Sequence, residues 1–126
     1  MSTLKWIFVM LTMCAATLAQ ALEIQPYSAS TLAAAQQADK PVAVHFRADW
    51  CPTCRAQDKA LQELRKEPGL DLTVLEANYD TEKELKRKFG VQAQSTLVVL
   101  HGRKEVTRLV GDTSTDGIRR ALKAAF

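Results

Sequence analysis

The stretch Phe46-Arg47-Ala48-Asp49-Trp50-Cys51-Pro52-Thr53-Cys54 decides the reading of this chain. Two cysteines separated by two residues, with proline directly after the first, fit the first turn of a helix. Residues three apart lie on one helical face, so the two sulfurs can close into a small disulfide ring. Cys51 then stands at the helix N-terminus, where unpaired N–H groups and the macrodipole stabilise a thiolate. Pro52 suits the first helical position, because its missing N–H had no partner there and its φ is already helical. The expectation is an exposed, acidified nucleophile at Cys51 and a shielded resolving thiol at Cys54. Attack by Cys51 on a substrate disulfide would give a mixed disulfide, which Cys54 resolves.

The same spacing also supplies half of a zinc site. Closing such a site takes two further ligands, and beyond the leader the chain offers only His45 and His101 as further nitrogen or sulfur donors. Their spacing fits no finger or ribbon. An inert structural bridge is the other alternative, although one closing so short a loop stabilises little.

Working outward, Val42-Ala43-Val44-His45-Phe46 is an apolar run suited to a strand buried on both faces, and Thr96–Leu100 is a second. Before the first run, Glu23–Tyr27 reads as at best an edge strand, since Pro26 interrupts it. Ser28 or Ser30 caps a helix running to about Asp39. After Trp50, Ala56, Ala60, Leu61 and Leu64 supply the inner face of a helix that Pro68-Gly69 ends. Leu70–Asn78 is the next strand. Asp80 or Thr81 caps a charged helix, with Thr81 and Glu84 in capping-box register. The His101–Lys104 turn leads to a hairpin strand at Glu105–Val110, and a last helix follows Ser114. The order β-α-β-α-β-α-β-β-α implies an α/β fold: a central mixed sheet with helices on both faces.

The chain is 126 residues long with a net charge of +3. Met1–Lys5, then the apolar Trp6–Leu18, then Ala19-Gln20-Ala21 follow the order of a secretory signal peptide cleaved after Ala21. The apolar run is shorter than the roughly 20 residues of a membrane span. A lipid anchor at Cys14 would place the bulky Met13 where a small residue is expected. Removing residues 1–21 leaves 105, enough for one small domain over 22–126, and a charge of +2 through loss of Lys5. So small a charge argues against nucleic acid as a partner. Lys83, Lys86, Arg87 and Lys88 are interleaved with Glu82 and Glu84, the pattern of a solvated helix face. Of three cysteines, Cys14 goes with the leader, so Cys51 and Cys54 remain as one close pair in an exported, periplasmic or secreted protein. One pair is too few for a disulfide-stapled scaffold, which favours chemistry over structure.

The Phe46–Cys54 segment resembles the active site of the thioredoxin family. The likeness continues through Leu72-Thr73-Val74, Asn78, Asp80, Phe89-Gly90-Val91, Thr96 and Val110-Gly111, across essentially all of the chain after the leader. It implies a thioredoxin-like fold and dithiol–disulfide exchange on protein substrates, with no cofactor beyond the Cys51–Cys54 pair. By the same resemblance Trp50 shields the pair, and Trp50, Pro52, Thr53 and residue 95 contact the substrate. Three positions depart from the family pattern. His45 replaces a buried Asp, Glu76 replaces the Lys that pairs with it, and Ser95 replaces a cis-proline. The implied reading of the first two is a proton relay, with His45 and Glu76 facing each other beneath Cys54. For the third, a trans Gln94–Ser95 bond is expected, since the cis form costs about 2.5–4 kcal/mol without proline. The Ser95 hydroxyl is expected beside the Cys51 sulfur, and loss of the proline ring leaves the dithiolate open to a soft ion such as Cu(I) or to a cluster.

One remaining helix segment, one strand and one short helix fill the interval from Cys54 to Ser95. That leaves no space for the inserted helical domain of strongly oxidising exported relatives. The functional expectation is an exported reductase or isomerase-like electron carrier, recharged by a membrane or soluble thiol donor; the chain is expected to act as a monomer.

Overall fold

A computed structural model describes residues 21–126; the expected leader up to Gln20, including Cys14, lies outside the described residues. Nine elements follow in the order read from the sequence: β1 (Glu23–Pro26), α1 (Ala29–Gln37), β2 (Pro41–Arg47), α2 (Pro52–Leu64), β3 (Thr73–Asn78), α3 (Lys83–Phe89), β4 (Thr96–His101), β5 (Lys104–Val110) and α4 (Thr115–Lys123). They build one five-stranded sheet in the order β1-β3-β2-β4-β5. β1, β3 and β2 run parallel, joined by helical crossovers, and β4 and β5 are antiparallel. The two apolar runs take the centre, and the Pro26-interrupted segment is an edge, where the missing N–H costs no ladder bond.

Period-2 alternation sorts the strands onto two cores. Val42, Val44 and Phe46 join Leu75, Ala77, Val98 and Leu100 beneath α1 and α3, which contribute Leu32 and Leu85. Ala43, Val74, Leu97 and Val99 face the other way, against Ala60, Leu61 and Leu64 of α2 and Ile118, Ala121 and Leu122 of α4. By that alternation His45 shares the face of Ala43, under α2, and Glu76 shares the face of Val74.

Local details differ from the sequence reading at three places. Ser28 and Ser114 cap α1 and α4 through their hydroxyls, as serine at a helix start should. In α3, by contrast, the cap is Glu82 with no side-chain hydrogen bond, so the Thr81/Glu84 capping box does not form. The Asn78 side chain instead accepts from the Asp80 N–H, which turns the chain two residues earlier. The third strand begins at Thr73, not Leu70, since Leu70 is drawn into the core beneath α2 and α4. On α2, Ala56 is exposed and Gln57 takes the buried position.

Candidate active site

β2 delivers the chain to the tip of α2, and Cys51 is the N-cap residue of that helix. Its sulfur accepts the Cys54 N–H at 3.1 Å, occupying one of the orphan donors of the first turn. Pro52 follows at the first helical position. Cys51 and Cys54 are joined as a disulfide, with a Cα–Cα separation of 5.2 Å. Both are buried, Cys51 at 3% exposure and Cys54 at 0%. The exposed nucleophile expected at Cys51 is not what the structure shows: both sulfurs of the disulfide are covered. Ala48 packs on the pair from below, and the Ser95 side chain lies against both sulfurs.

Ser95 is brought to the cysteines by the loop that enters β4. The Gln94–Ser95 peptide is trans, and Ser95 itself adopts the left-handed region at φ 61°. A non-glycine residue held there costs of order 1 kcal/mol or more and persists where the surroundings enforce it. Here the Ser95 carbonyl accepts from Gly111 N and from Gln57 Nε2, both at 3.0 Å. One residue on, the Thr96 hydroxyl donates to the Ala93 carbonyl at 2.7 Å. So fixed, the Ser95 Oγ lies 3.2 Å from the Cys51 sulfur and 3.0 Å from the Cys54 sulfur.

His45 and Glu76 occupy paired register positions on β2 and β3. The expected His45–Glu76 relay is not the contact that forms. His45 Nε2 bonds Gln57 Oε1 at 2.8 Å, and its nearest carboxylate is Asp58, 3.6 Å from Nδ1. Gln57 reaches down from α2 and captures the imidazole. Glu76 instead lines a surface groove with Pro26, Arg47, Ala48, Asp49 and Asn78. Burial pushes its carboxyl up, as do Asp58 and Asp49, against the opposing pull of Arg47. Arg47 spans the Asp58 carboxylate through Nε and Nη2, which draws Asp58 into that ion pair and away from His45. His45 is fully buried and its pKa is lowered, first by desolvation; the Gln57 bond and the Asp58 charge pull it back upward. The neutral imidazole is the form at neutral pH.

Gln57 is the residue that sequence reasoning missed. Its Nε2 donates to the carbonyls of Ser95 and Asp112, and its Oε1 faces His45. It thus ties the histidine to the loop that carries Ser95. The signal was available: Gln57 falls three residues after Cys54 and four before Leu61, on the inner face of α2 (a polar side chain there has to be hydrogen-bonded).

Trp50 lies at the rim, 58% exposed, which excludes a core role for its ring. Its indole N–H donates to Asp80 Oδ2 at 2.8 Å. Pro52 and Thr53 are exposed on the first turn of α2. Among the described residues no group of three or more His, Cys, Asp or Glu side chains is placed to hold a metal ion.

The family model for thioredoxin matches residues 25–124. This chain belongs to the thioredoxin family. A thioredoxin of Alicyclobacillus acidocaldarius is 36% identical over 75 residues, covering 60% of this chain and 71% of that protein. A bifunctional thioredoxin reductase/thioredoxin of Mycobacterium leprae is 33% identical over 99 residues, and the match spans 79% of this chain but 22% of that longer protein. The crystal structure of Trxlp from Edwardsiella tarda EIB202 superposes with a TM-score of 0.75 at 38% identity, over 79% of this chain and 98% of that one. With the Cys51–Cys54 pair in the family position, the chain is a thiol–disulfide oxidoreductase whose redox group is its own disulfide.

Proposed function

We propose that this thioredoxin-family protein is exported and works outside the cytoplasm as a reductase or electron carrier for protein disulfides, recharged by a membrane or soluble thiol donor. Cys51 is the nucleophile and Cys54 the resolving thiol. The observation that carries the assignment of roles is Cys51 at the N-cap of α2, with the Cys54 N–H on its sulfur. That position stabilises a thiolate, and the thiolate is the attacking species. Trp50, Pro52 and Thr53 form the exposed rim against which a substrate backbone would lie. The leader-like order of Met1–Ala21 supports export. The short span from Cys54 to Ser95, filled by the rest of α2, β3 and α3, supports a reducing role over a strongly oxidising one.

The test expresses the full chain, separates the periplasmic fraction and determines the N-terminus and the redox state of the pair there. The proposal expects a chain beginning at Leu22 and held substantially as the dithiol. It also expects a Cys54→Ser variant to accumulate mixed disulfides through Cys51 with exported proteins. An uncleaved cytoplasmic chain would reject export. A pair found fully oxidised in cells that contain all thiol donors would reject the reducing direction.

A further inference from the structure

The resolving step requires Cys54 to lose a proton inside a buried site. Among the described residues, the side-chain group within hydrogen-bond reach of its sulfur is the Ser95 hydroxyl, at 3.0 Å. His45, at the family's acid position, is engaged by Gln57 through Nε2, and among the described residues no hydrogen bond joins its ring to either sulfur. The Ser95 Oγ touches Cys51 as well, at 3.2 Å, and Ser95 is 3% exposed. A hydroxyl carries one hydrogen and two lone pairs: against the disulfide, whose sulfurs bear no proton, it can only donate, but once Cys54 is a free thiol it can accept from that sulfur while donating elsewhere. Proline at this position could do neither.

We propose that Ser95 is a proton relay in the resolving step, an inference that rests on Cys51 as nucleophile and Cys54 as resolving thiol. In the mixed disulfide between Cys51 and a substrate thiol, the Cys54 S–H donates to Ser95 Oγ. The Ser95 O–H points towards the sulfur bonded to Cys51. Cys54 sulfur attacks Cys51 sulfur; the Cys51–Cys54 bond forms and the bond from Cys51 to the substrate sulfur breaks, its electron pair leaving with that sulfur. The Cys54 proton passes to Ser95 as the Ser95 proton passes to the departing sulfur. The products are the enzyme disulfide and a neutral substrate thiol, with Ser95 unchanged. An alcohol is a weak acid and a weak base, so the two transfers are concerted and the oxygen never carries a full charge. Gln57 acts as the positioning residue, holding the Ser95 carbonyl and hence the left-handed turn that aims the hydroxyl.

A relay matters in proportion to the basicity of the leaving sulfur. A cysteine thiol has a pKa of about 8.5, and an alkyl sulfur at least as basic leaves better with a proton; a nitrobenzoate thiol, being much more acidic, leaves without one. The test uses the chain carrying Cys14→Ser, reduced, in single turnovers with bis(2-hydroxyethyl) disulfide and with 5,5′-dithiobis(2-nitrobenzoate). Release of the first and second thiol equivalents is followed separately. Ser95→Gly removes the hydroxyl while tolerating the positive φ, and Ser95→Ala removes it without added backbone freedom. Both variants should slow the second alkyl release at least about tenfold, within the range of general acid–base contributions, and the second aryl release by less than about threefold. Equal slowing with both leaving groups, or no slowing, overturns the relay. A first equivalent still released after Cys51→Ser removes the underlying assignment of the nucleophile, and the relay with it.

Discussion

The imidazole Nε2 of His45 meets the Oε1 of Gln57 at 2.8 Å, and this contact settles the direction of the hydrogen bonds around it. Gln57 Nε2 lies 3.0 Å from the Ser95 carbonyl and 2.9 Å from that of Asp112, and carbonyls only accept. The amide nitrogen is therefore fixed on that side, the oxygen faces the histidine, and His45 donates from Nε2. The neutral ring then leaves Nδ1 as a bare acceptor, buried and without a hydrogen-bond partner. Strand β2, helix α2 and the loops at Ser95 and Asp112 are joined by one side chain.

Replacing Gln57 by Ala should therefore cost more than its modest apolar area suggests. It strands a buried N–H at His45 and withdraws donors from two carbonyls. The expected loss is about 2–4 kcal/mol, since each buried group left without a partner costs about 1–3 kcal/mol and such losses do not simply add. Gln57→Glu should not rescue it, because a carboxylate cannot donate to the Ser95 and Asp112 carbonyls. Chemical denaturation at neutral pH measures both variants; a Gln57→Glu protein as stable as the wild type would contradict the hydrogen-bond directions given above.

Acid should destabilise the fold through His45. Burial lowers its pKa below the ordinary value of about 6.5. The unfolded chain then binds this proton more readily than the folded one, so stability rises with pH across the interval between the two values. The contribution is fully present above about pH 6.5 and is lost as pH falls through that value towards the folded pKa. Denaturation midpoints at pH 7.5 and pH 5 should differ more for the wild type than for His45→Asn, whose side chain does not titrate. Equal pH sensitivity of the two proteins would place the acid-labile group elsewhere.

Gly117 offers a case where the better helix former is the worse residue. In α4, alanine ordinarily gains about 1 kcal/mol over glycine. A Cβ on Gly117, however, would run into the Asp112 carboxylate and the Ser114 hydroxyl. Ser114 caps the helix by accepting the Gly117 N–H at 3.0 Å, and Asp112 Oδ1 accepts from Ser114 N and Oγ. Gly117→Ala should thus disrupt the cap and shift the loop whose carbonyl holds Gln57, with a net loss of about 1–2 kcal/mol. Thermal unfolding reads the sign directly: a raised midpoint would mean the cap yields without cost.

Much of this was legible in the sequence for identifiable reasons. Two apolar runs with flanking turn signals placed β2 and β4 at the sheet centre, because strands covered on both faces have no polar side to show. Cys51 and Pro52 fixed the start of α2, since N-cap and first-turn preferences are local. What escaped was of two kinds, one local and one not. That Asn78, not Thr81, organises the turn into α3 depends on competing short-range hydrogen bonds of similar strength. The pairing of His45 with Glu76 follows from the family's Asp/Lys pair, and strand register does place the two side by side. Which partner a buried imidazole takes depends on the third dimension, where Gln57 descends from α2 and Arg47 draws Asp58 away.

The two thiols of the reduced protein should differ in reactivity by at least about tenfold, with Cys51 the faster. The thiolate is the reacting form, and its stability follows from local charge and hydrogen bonding. Cys51 stands outside the first turn of α2, at the positive end of the helix, and receives the Cys54 N–H at 3.1 Å. Cys54 lies one turn in, with no exposed surface, where burial disfavours the charged sulfur. Limited alkylation near neutral pH followed by peptide mapping should find label on Cys51 while Cys54 remains free. The preference should narrow as pH rises and both sulfurs ionise. Label appearing first on Cys54 would invert the roles of the two cysteines, because a helix N-terminus cannot favour the sulfur buried beneath it over the one that caps it.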